Sequence, residues 1–124
     1  MRSTSAPLEP SALEALIGTD QRVIQDFLQD FDVSAARMAV ELAEVCAVRQ
    51  PKHAAAIANQ LESSARSVGA WNLSDLCDAM EVAGNASDLT VVTALMPKFE
   101  GGMVTVSEYL RSLQASEDQA ARRA

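Results

Sequence analysis

Few side chains in this sequence are equipped for covalent or proton-transfer chemistry. There is one histidine, His53, and imidazole is the side chain whose neutral, nucleophilic form is abundant near pH 7. A single histidine leaves too few ligands for a His-rich metal site, so neither a metal nor a cofactor is expected. Cys46 and Cys77 stand apart on apolar stretches and are expected to be buried free thiols, since nothing else suggests a disulfide framework. The acidic pairs Asp26/Asp30 and Glu41/Glu44 fall at helical spacing and suit solvated faces. There is no Ser–His–acid set, no ligand cluster and no Gly-rich phosphate loop, so the chain is not expected to be an enzyme in its own right. The polar stretch with the most specific spacing is Asn59-Gln60-Leu61-Glu62-Ser63-Ser64-Ala65-Arg66-Ser67-Val68-Gly69-Ala70.

The elements that must carry this stretch are helices. Apolar residues recur every three or four positions nearly throughout, and strand alternation is almost absent. Ser11 is placed to cap a first short helix, with Glu14 completing a capping box; Leu13, Leu16 and Ile17 give it an apolar face and Gly18 ends it. A second helix begins near Thr19 or Asp20. Its stripe is Val23, Ile24, Phe27, Leu28, Phe31, Ala35, Met38, Ala39, Leu42, Val45 and Cys46, with a bend expected at 32–34. Arg49-Gln50-Pro51 stops it, and Pro51 suits the first turn of the next helix.

The third helix runs from about Pro51 to Val68. Ala54, Ile57, Ala58, Leu61, Ala65 and Val68 lie within about 60° of one line at roughly 100° per residue, which makes them the core face. Lys52, Ala55, Ala56, Asn59, Ser63 and Arg66 fall opposite, and Gly69 closes the helix with the freedom a tight turn needs. Leu73, Leu76, Cys77 and Met80 stripe a fourth helix that Gly84-Asn85 ends. Ser87 or Asp88 caps a fifth, patterned by Leu89, Val92, Met96, Phe99, Met103, Val106, Leu110 and Leu113, with Pro97 and Gly101-Gly102 expected to bend it. The fold expected is all-α: an antiparallel four-helix bundle with a short extra N-terminal helix. Residues 1–9 are expected as a flexible lead-in, 10–114 as the bundle, and 115–124 as a flexible tail.

Composition narrows the partners. The 124 residues suit one domain, and 48% hydrophobic content supplies a core. A formal charge of −7 with ten scattered basic residues disfavours nucleic acid and anionic membranes, which require concentrated Lys and Arg. No apolar run approaches the ~20 residues of a membrane span, and the first ten residues lack a secretory pattern. A cytoplasmic monomer is expected.

The Asn59–Ala70 stretch resembles the signature of histidine-containing phosphotransfer (HPt) domains of two-component phosphorelays. In that family a histidine is followed by x-Leu-Lys, two small residues, and later Gly-Ala. Leu61, Ser63, Ser64, Gly69 and Ala70 match, and Leu73, Leu76, Cys77 and Met80-Glu81 extend the likeness, which with the helix order spans roughly residues 8–113. Two positions depart. Asn59 stands where the resemblance implies the phosphoacceptor histidine, and Glu62 where it implies a lysine.

Each departure has a chemical consequence. The Asn59 carboxamide delocalises its nitrogen lone pair into the carbonyl and is no useful nucleophile for an aspartyl phosphate. Glu62 reverses the sign of a charge that would attract phosphoryl oxygens and a partner's acidic pocket; at ~6 Å one like-charge pair costs roughly 0.7 kcal/mol in bulk water, and more when partly dried. Arg66 and Lys52, seven positions either side of Asn59, retain some attraction for an acidic surface. Ser63 points outward beside Asn59, while Ser64 lies toward the core edge. Ala55 and Ala56 leave a low apolar surface for a docking helix. His53 lies about 120° around the helix from Asn59, as an ordinary boundary histidine.

The resemblance thus implies a pseudo-phosphotransfer protein that binds a response-regulator receiver domain or a hybrid sensor kinase without relaying phosphate. Lys52, Ala55, Ala56, Asn59, Glu62, Ser63 and Arg66 form its expected contact face, with Gly69 structural. The alternatives are a helical adaptor unrelated to phosphorelay, and an active HPt protein altered at its phosphoacceptor position.

Overall fold

Helix α1 begins where Pro10 supplies a fixed φ and needs no intrahelical N–H partner, and it ends at Ile17 before Gly18. The computed structural model describes residues 6–123; residues 1–5 and 124, parts of the expected lead-in and tail, lie outside that range. Helix α2 spans Gln21–Ala47, α3 Pro51–Ser67, α4 Trp71–Asn85 and α5 Leu89–Arg123. Helices α2 to α5 form an antiparallel bundle in which α3 packs on α2 and α4, α5 packs on α2 and α4, and α1 rests on α2 and α3.

Short loops with specific backbone chemistry set this order. The Asp20 carboxylate caps α2, accepting from the backbone N–H groups of Arg22 at 3.0 Å and Val23 at 3.4 Å. Asp88 accepts from Val91 N–H at 3.2 Å in the first turn of α5. Between α3 and α4 the chain reverses at Gly69, whose φ of +71° is in the left-handed region. A Cβ on Gly69 would lie 2.5 Å from the Glu9 carbonyl oxygen, so this glycine also lets the N-terminal segment cross the loop.

The core follows the apolar stripes. Ile24, Leu28, Phe31, Ala35 and Leu42 of α2 meet Ile57, Ala58, Leu61 and Ala65 of α3, Leu73, Cys77 and Met80 of α4, and Val92, Phe99, Met103 and Val106 of α5. Several local expectations need correction. Leu16, Val23 and Phe27 are exposed, because α1 is too short to cover a wide arc and the main packing of α2 is against α1, α3 and α5. Ser11 is inside α1 and caps nothing; the N-cap residue is Glu9, without a side-chain cap. Instead of a loose lead-in, Leu8 is fully buried, Glu9 N–H donates to the Val68 and Gly69 carbonyls, and Trp71 Nε1 donates to Glu9 Oε2 at 3.2 Å.

Helix α2 runs through residues 32–34 without interruption, and there the Asp32 carboxylate accepts from Ser107 Oγ at 2.9 Å, joining α2 to α5. Helix α5 likewise continues through Pro97, Gly101 and Gly102, and on to Arg123. Helix α4 ends at Asn85, as the Gly84-Asn85 pair led one to expect. Gly84 is buried in its last turn, where any Cβ would run into the Pro51 carbonyl and Ala55. Cys77 is buried as expected, whereas Cys46 is only half-buried.

Candidate functional site

The middle of α3 presents Asn59 to solvent, on the side opposite Leu61 and Ala65. Its carboxamide is held in place: Asn59 Nδ2 donates to Glu81 Oε2 of α4 at 2.9 Å. Lys52, Ala56, Ser63 and Arg66 share the exposed side of α3, and so does His53. Ser64 is half-buried, and its carbonyl accepts from Ser67 Oγ at 2.7 Å.

Two residues expected on the open face are inside. Ala55 is 1% exposed and Glu62 is 7% exposed. The reason is the position of α3 between two neighbours. The core stripe satisfies the bundle centre, but Ala55 and Glu62 sit on the flank turned to α4, where Gly84 allows the two backbones to close on Ala55. The buried arc of α3 is therefore wider than its apolar stripe. Ala55 contributes a packing contact rather than an open docking surface.

Glu62 is consequently a carboxyl group in a dry setting. Arg66, one turn along and with a side chain 59% exposed, reaches back to bond Glu62 Oε1 at 2.8 Å. From α4, Asp78 and Glu81 approach so closely that one carboxylate oxygen from each of Glu62, Asp78 and Glu81 lies within 4.8 Å of the other two. Burial pushes the Glu62 carboxyl above its ordinary value, a hydrogen bond with Asp78 pushes it further, and the charges of Asp78 and Glu81 add to this, while Arg66 pulls the other way. Below them Cys77 is buried, its thiol pushed up to about 12 by desolvation and by the charge of Glu62.

The structure brings Asn59, Glu62 and Arg66 together and adds two α4 residues to them. Asp78 has no place in the sequence motif, and Glu81 belongs to it only through the family likeness. Their relation to Asn59 spans 22 positions across a helical hairpin, and periodicity within one helix says nothing about which residues of the next one face it. The chemistry open to this arrangement is hydrogen bonding, charge presentation and proton exchange.

Comparison with known proteins agrees with the fold. The crystal structure of histidine-containing phosphotransfer protein B (HptB) from Pseudomonas aeruginosa PAO1 is similar, with a TM-score of 0.83 and 15% identity over 91% of this chain and 98% of that one. No curated protein matches. The Hpt domain family model matches residues 22–116, which include α3, α4 and every residue of the Asn59 face. The chain therefore belongs to the Hpt domain family, whose members act as phosphotransfer carriers in two-component signalling.

Proposed function

We propose that this chain is a degenerate Hpt protein that docks a response-regulator receiver domain or a sensor kinase and relays no phosphate. The observation that carries this is Asn59: the residue at the motif's reactive position is an exposed carboxamide on mid-α3, and its nitrogen is engaged by Glu81. An amide nitrogen conjugated to its carbonyl cannot attack an aspartyl phosphate, nor release a phosphoryl group afterwards. Glu62 and Arg66 pair with each other beside it, so the position where the family motif has a lysine offers no positive charge to incoming phosphoryl oxygens. Docking survives such losses because it depends on a surface, whereas transfer depends on one nucleophile. Such a protein would compete with active carriers for a regulator, or hold a kinase or regulator in one state.

The test is phosphotransfer from radiolabelled phosphorylated receiver domains of the source organism. No stable label is expected on the unmodified chain, and the double variant Asn59→His with Glu62→Lys is expected to acquire one. Stable labelling of the unmodified chain overturns the proposal, and loss of that label in His53→Gln would move the acceptor to His53. Failure of the double variant with every active receiver would undercut the alignment of Asn59 with the reactive position. An adaptor unrelated to phosphorelay is the competing function; receiver domains among captured partners argue against it, and their consistent absence argues for it.

A further inference from the structure

A cavity of about 370 Å³ opens between α2 and α5, with Pro10 of α1 at its side. Helix α3 packs on α2 and α4, and α5 packs on α2 and α4, so this groove faces away from the α3–α4 seam that carries Asn59. Its floor is apolar: Ile24 and Leu28 from α2 meet Leu110 and Leu113 from α5. The first three of these are buried side chains of the core. The space holds roughly 12 water-sized groups, and water over such a floor is readily displaced by an apolar body. An apolar lining with a few polar groups at its edge is the usual build of a small-molecule site.

Two opposite charges stand at that edge, Asp32 of α2 and Arg111 of α5. Asp32 is half-buried, and its Oδ1 accepts from Ser107 Oγ at 2.9 Å. A hydroxyl is a neutral partner and leaves the carboxylate's charge uncompensated. Ser107 precedes Arg111 by four residues, so Arg111 lies about 6 Å further along the groove, on the facing helix. Neither Asp32 nor Arg111 forms an ion pair among the described residues. The complement of this edge is a ligand with a cation and an anion on neighbouring atoms, attached to an apolar body. We propose that the α2–α5 cavity binds a free apolar α-amino acid. Its ammonium pairs with Asp32, its carboxylate takes the planar fork of Arg111, and its side chain covers Leu28, Leu110 and Leu113. Other occupants leave a charge unmet. A fatty acid would satisfy Arg111 and set its own charge beside Asp32, and an alkyl amine would do the reverse. A peptide separates its two termini, so it meets only one of the two residues with a charge. This site is independent of the docking function proposed above.

The test is binding of L-phenylalanine to the full chain, followed by calorimetry and by backbone amide NMR. Amide shifts are expected at 24–32 and 107–114, with the Asn59 amide unmoved. Two analogues each carry half of the head group: phenethylamine keeps the ammonium and 3-phenylpropionate keeps the carboxylate. Each is expected to bind about tenfold more weakly or worse, the loss of one charge-assisted bond, and glycine, which lacks the apolar body, is expected not to bind. Arg111 is exposed, so Arg111→Gln leaves the core intact; it is expected to erase the advantage of phenylalanine over phenethylamine. Asp32→Asn keeps an oxygen for Ser107 and is expected to erase the advantage over 3-phenylpropionate. Absence of phenylalanine binding up to its solubility limit overturns the site. Equal binding of either analogue, or unchanged phenylalanine affinity in Arg111→Gln, overturns the zwitterion contact. A short apolar peptide that binds as tightly as phenylalanine overturns the free amino acid and makes the groove a peptide-docking surface.

Discussion

Cys77 and Glu62 occupy the same buried seam between α3 and α4, and the charge of Glu62 makes ionisation of the Cys77 thiol harder. For Glu62 the sign of the stability effect is set by which state binds the proton more tightly. Its folded carboxyl is raised above an ordinary value near 4.5, so the folded state takes up the proton first. The stability this contributes is full below the ordinary value and is lost as pH rises through the raised one. In denaturant unfolding, the unmodified chain is expected to lose stability relative to Glu62→Gln as pH rises from about 4.5 upward, until the folded carboxyl has ionised. A stability difference that is flat, or that grows with pH, would contradict the raised carboxyl. The thiols give a second readout at this scale. Cys46 is half-buried with its thiol raised by desolvation, and Cys77 is fully buried at about 12. Labelling with a thiol reagent at pH 8 should proceed in two phases, Cys46 first and Cys77 only through local opening. In denaturant the phases should merge.

At the scale of elements, three glycines of similar appearance in the sequence carry different structural burdens. Gly69 has a left-handed φ and abuts Glu9; Gly69→Ala is expected to cost about 1–3 kcal/mol from backbone strain alone, and to disturb the crossing of the N-terminal segment. Gly84 lies against Pro51 and Ala55; Gly84→Ala is expected to cost about 1–3 kcal/mol by overpacking the α3–α4 contact. Gly101 lies exposed within α5, with open space where a methyl group would stand; Gly101→Ala is expected to stabilise by about 0.5–1 kcal/mol, through lower backbone entropy in the unfolded chain. Chemical denaturation of the three variants checks the ordering. Because Gly84 also sets the α3–α4 distance, Gly84→Ala should weaken the Asn59–Glu81 contact, visible as a shift of the Asn59 side-chain amide in NMR spectra.

For the molecule as a whole, the bundle is closed at one end by residues that precede the family match at 22–116. Leu8 and Leu13 are fully buried, and Glu9 ties the segment to the α3–α4 loop through backbone bonds and Trp71. Leu8→Ala is expected to destabilise the whole domain by about 2–5 kcal/mol, as a large-to-small change in a packed core. Its unfolding should remain a single transition, because the segment shares the bundle's core. A variant with unchanged stability would show that the N-terminal segment is a separate appendage. Among the described residues, no helix is long and apolar enough to cross a membrane, which agrees with the dispersed apolar pattern.

Helix positions, the core stripes of α3, α4 and α5, and the exposed Asn59 were legible in the sequence, because each depends on spacing within one helix. The left-handed turn at Gly69 and the cap at Asp88 were legible for the same reason: local backbone chemistry confines them. Only the tertiary structure decided that Ala55 and Glu62 are buried, that Asp78 and Glu81 stand beside them, and that Leu8 and Glu9 belong to the fold. Helical periodicity gives the direction of a side chain relative to its own axis, but not the number of neighbours around that axis or the rotation of the next helix. With α4 on its flank, α3 buries a wider arc than its apolar residues mark out, and an acid that would be a solvated charge on a lone helix becomes a desolvated one.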